Sequence, residues 1–417
     1  MTLIAAFDAA MADLCAGKPP KALGIAVSGG SDSTALMHLM SDWCAPRTIP
    51  LFVATVDHKL RPESAGEART VRRMAEGLGL GHATLVWDGY DGQGNTQGEA
   101  RNARYGLLAD WARGLGLEAV ATGHTADDQA ETVLMNLARG SGVDGLSGIA
   151  RAHTRFGVRV IRPLLGLGRS DLRAWLQGRS VGWIEDPSNE DQTYQRVRAR
   201  KALEALAPLG ITTRALEGTA QRMSAAREVL EGAAAEAAER VTREDAGDIV
   251  IRRRAFLDLP REMRGRLLAG ALVWVASARF RPRAAALEGA ERMLAMGKAT
   301  TLHGCLIYPH RGETRVTREA GGTLAAPLKG GAAIWDTRWD VKAKGLEGAE
   351  VRALGEAGLK QLGRERPKDP PRRTLAAAPS LWRDGQLLAC PHAAYGPEYN
   401  VKLTSRQGPF AASLLSR

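Results

Sequence analysis

Cysteine is scarce in this sequence. Its four residues, Cys15, Cys44, Cys305 and Cys390, lie far apart in a chain of 417, and no two stand as C-x-x-C. That argues against a structural zinc or iron–sulfur centre, and a reduced, cytoplasmic protein is the simplest expectation. Long apolar runs are missing as well. The stretch from Leu268 to Ala278 falls well short of the ~20 residues a membrane helix needs, so no membrane partner is expected. The opening Met1-Thr2-Leu3-Ile4 lacks the basic region of a secretory leader. No internal repeat is visible. No stretch reads G-x-x-x-x-G-K-[ST], which excludes the Walker A loop.

What is present is ordinary in bulk and uneven in charge. Hydrophobic residues make up 44% and charged residues 25%, values of a globular chain rather than a disordered or fibrous one. The length suits two to four domains. Lys+Arg number 57 against 46 Asp+Glu, a formal charge of +11, which points modestly to a polyanionic partner. The excess is concentrated. Residues 151–204 hold eleven Lys/Arg against six Asp/Glu, and residues 250–292 hold ten Arg against four. Arginine is the cation suited to phosphate; either stretch alone is more often solvated surface, but two of them in a chain of this charge point to tRNA.

The first ~200 residues alternate apolar, strand-like runs with helical stretches, the pattern of βαβ units around a parallel sheet. The runs are Leu23–Val27, Leu51–Val56, Ala83–Trp87 and Glu118–Thr122; the helical stretches include Thr34–Trp43, Ala65–Gly77 and Gly98–Arg113. Thr213–Val241 is long and rich in Ala, Glu and Arg, and reads as helix. Apolar periodicity continues from Ile249 to Leu294, and the last ~85 residues read as short strands and loops. Boundaries are expected near 210 and 320, giving an α/β domain at 1–210, a helical domain at 211–320 and a small α+β domain at 321–417.

Ser28-Gly29-Gly30-Ser31-Asp32-Ser33 follows the first strand and opens a helix. Two glycines let backbone approach an anion, and the helix start offers N–H groups and a positive dipole end. Ser28, Ser31 and Ser33 add hydroxyls. Asp32 would repel a phosphate unless it holds a Mg²⁺ bound to the same phosphates. A capped strand–helix turn is the plainer alternative.

This loop resembles the pyrophosphate-binding loop of the N-type ATP pyrophosphatases, which cleave ATP between its α- and β-phosphates. Four further segments resemble the tRNA(Ile)-lysidine synthetases within that superfamily. They are Val56-Asp57-His58-Lys59-Leu60-Arg61; Glu99 to Tyr105; Thr122 to Thr132 with Arg139-Gly140-Ser141-Gly142; and Arg162-Pro163-Leu164-Leu165 through Asp186-Pro187-Ser188-Asn189 to Arg196, Arg198 and Arg200. Leu381-Trp382-Arg383-Asp384-Gly385 resembles that family's terminal domain. Two positions depart from the family's pattern: Val197 replaces a frequent Asn, and Thr125 a frequent His.

The resemblance implies a Rossmann-like fold and ATP-dependent attachment of free L-lysine to C2 of the wobble cytidine of tRNA(Ile) with a CAU anticodon, through an adenylated base. It implies ATP bound at residues 28–33, Mg²⁺ at Asp32, and tRNA contact at Arg139, Arg196, Arg198 and Arg200. The candidate catalytic residues are Asp32, Asp57, Arg101, Arg104, His124, Asp127 and Asp128. By residue chemistry, Arg101 and Arg104 share one helix face. Thr125 caps a helix with Asp128 closing a capping box, and Val133, Leu134, Leu137 and Ala138 form its buried stripe. His124, Asp127, Asp128 and Glu131 can bind metal, orient the cytidine or receive an ammonium. Rival readings are a tRNA thiolation enzyme of the same superfamily, which would want a cysteine pair or cluster, and a non-catalytic tRNA-binding protein. Oligomeric state is not legible.

Overall fold

The computed structural model describes residues 2–59, 63–88, 96–185, 193, 195–278, 280–343, 345–346, 348–396, 402–405 and 408–415. The chain divides into two compact units at Arg227/Glu228.

The first unit opens with α1 (Leu3–Leu14), β1 (Leu23–Ala26), α2 (Ser31–Cys44), β2 (Leu51–Asp57), α3 (Ser64–Gly77), β3 (Gly81–Val86), α4 (Thr96–Gly114) and β4 (Ala119–Thr122). It continues with α5 (Ala126–Ala138), α6 (Val143–Leu146), β5 (Ala152–Arg155), β6 (Val158–Ile161), α7 (Arg169–Gly178), α8 (Gln195–Leu206) and the start of α9 (Thr213–Val241). The sheet order is β3-β2-β1-β4-β6-β5. Neighbours pair in parallel except β5, which runs antiparallel to β6 at one edge.

The central strands β1, β2 and β4 are largely apolar because both their faces are covered. Leu23, Ile25, Val53, Ala119 and Ala121 pack with α1, α2, α3 and α7. The alternate residues Ala54 and Val120, with Val158, meet Leu108, Ala109 and Ala112 of α4. Strand order reverses between β1 and β4, so the loops after these strands flank the crevice where open α/β sheets bind ligands.

The second unit carries three antiparallel sheets. Its largest runs Thr242–Asp245, Asp248–Ile251, Glu313–Arg318, Cys305–His310 and Thr300–Leu302. The helices Arg261–Ala276 and Ala284–Ala295 bury Leu267, Leu268, Leu272 and Leu294 with Ile249, Ile251, Ile307 and Val316. Helical periodicity is what the sequence shows in this stretch; the strands are short and stand out less. No helix among the described residues is long and apolar enough to cross a membrane.

Candidate active site

The loop from β1 to α2 is braced from within. Gly29 has φ +94°, and a Cβ there would lie 2.5 Å from Ile184 Cδ1, so only glycine serves. The N–H groups of Ser28 and Gly29 both donate to Ser33 Oγ at 3.2 Å, and that hydroxyl donates to the Gly30 carbonyl at 3.1 Å. Thr34 Oγ1 donates to the Gly29 carbonyl at 3.0 Å. Ser33 therefore shapes the loop, while Ser28 lies exposed on it. Gly30 caps α2 without a side-chain hydrogen bond, leaving the first-turn N–H groups with no intrahelical acceptor.

The β4 side comes equally close. A Cβ at Gly123 would stand 3.1 Å from the Ser33 N and Cα atoms. His124 follows, its Nδ1 3.0 Å from Thr122 Oγ1. Burial and the nearby Arg162 push its pKa down, so the imidazole is neutral. Thr125 and Asp128 form the expected capping box: Thr125 N–H donates to Asp128 Oδ2 at 2.9 Å, and Asp128 N–H to Thr125 Oγ1 at 3.4 Å. The buried face of α5 differs from the expected stripe. Val133 is buried, but Leu137 is 53% exposed and Ala138 also faces solvent. The helix instead buries its first turns, including Asp128, Gln129 and Glu131: Asp128 and Glu131 face Arg169, Gln129 bonds the Ile149 backbone, and Ala130 and Val133 pack with Leu216 and Ala220.

One guanidinium gathers the carboxylates. Arg169 Nε donates to Asp32 Oδ2 at 2.9 Å; Nη2 lies 3.7 Å from Asp128 Oδ1 and Nη1 3.9 Å from Glu131 Oε1. Its backbone N–H donates to Asp127 Oδ2 at 2.7 Å. Burial raises the Asp32 pKa despite Arg169. Burial raises Glu131 too, against the pull of Arg200. Burial alone would also raise Asp128, but the Thr125 N–H and Arg169 hold it below the usual range. Glu131 is 1% exposed; its Oε1 accepts from Arg200 Nε at 3.0 Å, while Oε2 is buried with no partner among the described residues.

On α7, Arg173 Nε donates to Ser31 Oγ at 3.2 Å. Its guanidinium sits 5.7 Å from the Trp183 ring, and Trp183 Nε1 donates to Glu185 Oε1 at 2.7 Å.

The other sequence candidates surround this centre. Asp57 ends β2 and accepts from Lys59 N–H at 2.9 Å. Burial raises its pKa, yet hydrogen bonds from Ser64 and Lys59 outweigh this and leave it low. Arg104 Nε donates to His58 Nε2 at 3.3 Å, and Arg101 stacks 5.6 Å over Tyr105. Arg162 is buried; its Nη1 donates to the Ala150 carbonyl at 2.6 Å and to His153 Nδ1 at 3.1 Å. Arg139 donates to Gln195 Oε1 at 2.6 Å and Arg198 to the Thr193 carbonyl at 3.1 Å; both are exposed, as is Arg196. Arg200 points inward to Glu131. Leu60, Arg61 and Asp186–Asn189 lie outside the described residues.

Arg169 and Arg173 were not singled out by sequence. The usable signal was positional: the apolar run Val158–Ile161 is a strand, and Gly166-Leu167-Gly168 leads from it into a helix that begins at Arg169. The departures fit their places, since Thr125 is a buried N-cap and Val197 is buried on α8. The cysteines supply no thiolate: burial pushes Cys44 and Cys305 up to about 12 and raises Cys15 and Cys390.

Residues 3–206 match the family of PP-loop domains. Over 402 residues the chain is 46% identical to a tRNA(Ile)-lysidine synthase of Ruegeria pomeroyi, covering 96% of this chain and 95% of the relative. A tRNA(Ile)-lysidine synthase of Rhizobium meliloti is 33% identical over 408 residues, 92% of this chain and 87% of that one. Among solved structures, the U34-tRNA thiolase NcsA of Methanococcus maripaludis, with its [4Fe-4S] cluster, aligns with 53% of this chain and 79% of its own, at 17% identity and TM-score 0.45.

Proposed function

Because this chain belongs to the tRNA(Ile)-lysidine synthase family, we propose that it joins free L-lysine to C2 of the wobble cytidine of tRNA(Ile) with a CAU anticodon, consuming ATP to AMP and pyrophosphate. The observation that carries this reading is the PP-loop at residues 28–33, set at the strand-order reversal and facing the carboxylates of α5. The thiolation alternative lacks a reactive cysteine.

The residues fit a magnesium-bound triphosphate. Gly29 and Gly123 keep the cradle open. Among the described residues, no group of three or more His, Cys, Asp or Glu stands close enough to cage a metal alone. Magnesium is normally held through one or two carboxylates plus substrate phosphates, and Asp32 is placed to be that carboxylate. When bound, the ion neutralises charge on the departing pyrophosphate.

The loop holds the triphosphate while O2 of the cytidine attacks the α-phosphorus and pyrophosphate leaves. The work of these residues is positioning and charge neutralisation. The lysine ε-amine then attacks C2 and AMP leaves. That amine has a reference pKa of ~10.4 and must lose a proton, so a base is needed; Asp57, His124, Asp127 and Asp128 are the candidates. The unpaired, buried oxygen of Glu131 supports a role for the Asp127–Asp128–Glu131 group in receiving an ammonium. Arg101, Arg104, Arg139, Arg196 and Arg198 present guanidiniums to RNA, whose target base must be unstacked to be read. The arginine-rich stretch within 211–320, and 321–417 after it, are assigned to the body of the tRNA.

Incubation with ATP, labelled lysine and bulk tRNA tests the reading. Label should enter one isoleucine tRNA only. Asp32→Ala should abolish ATP–pyrophosphate exchange while its melting temperature stays near that of the parent. Exchange at the parent rate in that variant refutes the metal role.

A further inference from the structure

The start of α7, which sequence places within a basic surface stretch, lies against the phosphate loop. Arg169 and Arg173 are one turn apart, so they project from one helix face. They reach the first two residues of α2: Arg173 meets Ser31 Oγ at 3.2 Å and Arg169 meets Asp32 Oδ2 at 2.9 Å. A cation in the first turn of a helix opposes the dipole, and at Arg169 the surrounding carboxylates offset that cost. Arg173 has weaker ties: Glu185 Oε2 at 3.4 Å and the Trp183 ring, with 41% of its side chain exposed.

The loop's own donors are N–H groups and hydroxyls, and no lysine stands in it. A triphosphate keeps negative charge beyond what one magnesium neutralises, and Asp32 adds more. We propose that Arg169 and Arg173 form a two-guanidinium clamp on the pyrophosphate end of the nucleotide, taking the part that the lysine plays in a Walker A loop. Planar, forked donors suit paired phosphate oxygens. Until nucleotide arrives, Arg169 serves as the counter-charge of Asp32. The clamp rests on the reading that residues 28–33 hold the triphosphate, and it adds the residues that hold the leaving group.

Calorimetric titration with magnesium pyrophosphate and, separately, with AMP tests it. Arg173→Ala should weaken pyrophosphate binding about tenfold or more and leave AMP within about twofold of the parent. Arg179→Ala removes the same charge from the C-cap of α7, but Arg179 pairs with Asp42 at 2.7 Å; it should change neither ligand. Arg169→Lys keeps a cation beside Asp32, protecting the fold, but loses the fork, and should also weaken pyrophosphate. Unchanged pyrophosphate affinity in Arg173→Ala, or equal losses of pyrophosphate and AMP, overturns the clamp. Gly30→Leu separates the two readings, because a Cβ there meets nothing closer than Ser28 Oγ at 4.0 Å, so the substitution starts from open space and bulks the loop mouth; an unchanged melting temperature checks that the fold is kept. If Gly30→Leu binds pyrophosphate normally, the loop is not the phosphate site and the clamp falls with it. If Gly30→Leu loses pyrophosphate while Arg173→Ala does not, the clamp alone falls.

Discussion

At the scale of single residues, protonation states follow from who is buried beside whom. His153 is pushed down to about 4 by burial, then by Arg162 and Arg101. Its Nδ1 is 3.1 Å from Arg162 Nη1, and a guanidinium can only donate, so that nitrogen must keep its lone pair. The folded pKa lies below the ordinary 6.5, and the unfolded chain therefore binds the extra proton between the two values. Stability then rises with pH from about 4 to about 6.5 and is lost as pH falls through that window. Denaturant unfolding at pH 5 and pH 7 should show a smaller difference for His153→Asn than for the parent, because an amide oxygen accepts from Arg162 at both pH values. An equal difference in the two proteins would count against the neutral imidazole. The loop serines, Asp32, His124 and the Asp127–Asp128 pair could all be picked out from sequence, because each sits in a short motif at a strand end. Arg169 could not, because its partners Asp32, Asp128 and Glu131 come from two other helices and only folding brings them together.

At the scale of elements, glycines decide how closely the two phosphate-side loops approach. Gly123→Ala sets a methyl 3.1 Å from Ser33 backbone. Backbone yields less readily than a side chain, so a cost of about 1–3 kcal/mol is expected in denaturant unfolding, with a raised KM for ATP. Gly106 in the interior of α4 has open space around its Cβ position, and Gly106→Ala should instead stabilise by about 0.5–1 kcal/mol with KM unchanged. Matching effects from the two variants would show that the tight approach carries no weight. The first four parallel strands and α2, α3 and α4 were legible because short apolar runs alternate regularly with longer helical stretches. The edge strand β5 and its neighbour β6 were not: Ala152–Arg155 and Val158–Ile161 are only four residues each, and three of the four in β5 are polar. In α5 the capping box was legible and the buried face was not, since its buried positions include Asp128, Gln129 and Glu131.

At the scale of the whole molecule, a charge of +11 favours an RNA partner through released counterions. Binding of tRNA should weaken steeply as salt rises. Arg196→Ala removes one exposed guanidinium, so the slope of log affinity against log salt should shrink by about 0.7–0.9. Arg200→Ala should leave the slope alone, since that residue is committed to Glu131. Filter binding across a salt series distinguishes them, and parallel lines for Arg196→Ala and the parent would remove Arg196 from the RNA contact.

The indole of Trp183, 5.7 Å from Arg173, has an optical consequence. Its emission is sensitive to the charge beside the ring, so any ligand that draws the guanidinium away changes the signal. Subtracting the spectrum of Trp183→Phe isolates it from the other eight of the nine tryptophans. Under the proposed clamp, phosphate arrival would therefore be readable in a stopped-flow cell without a label.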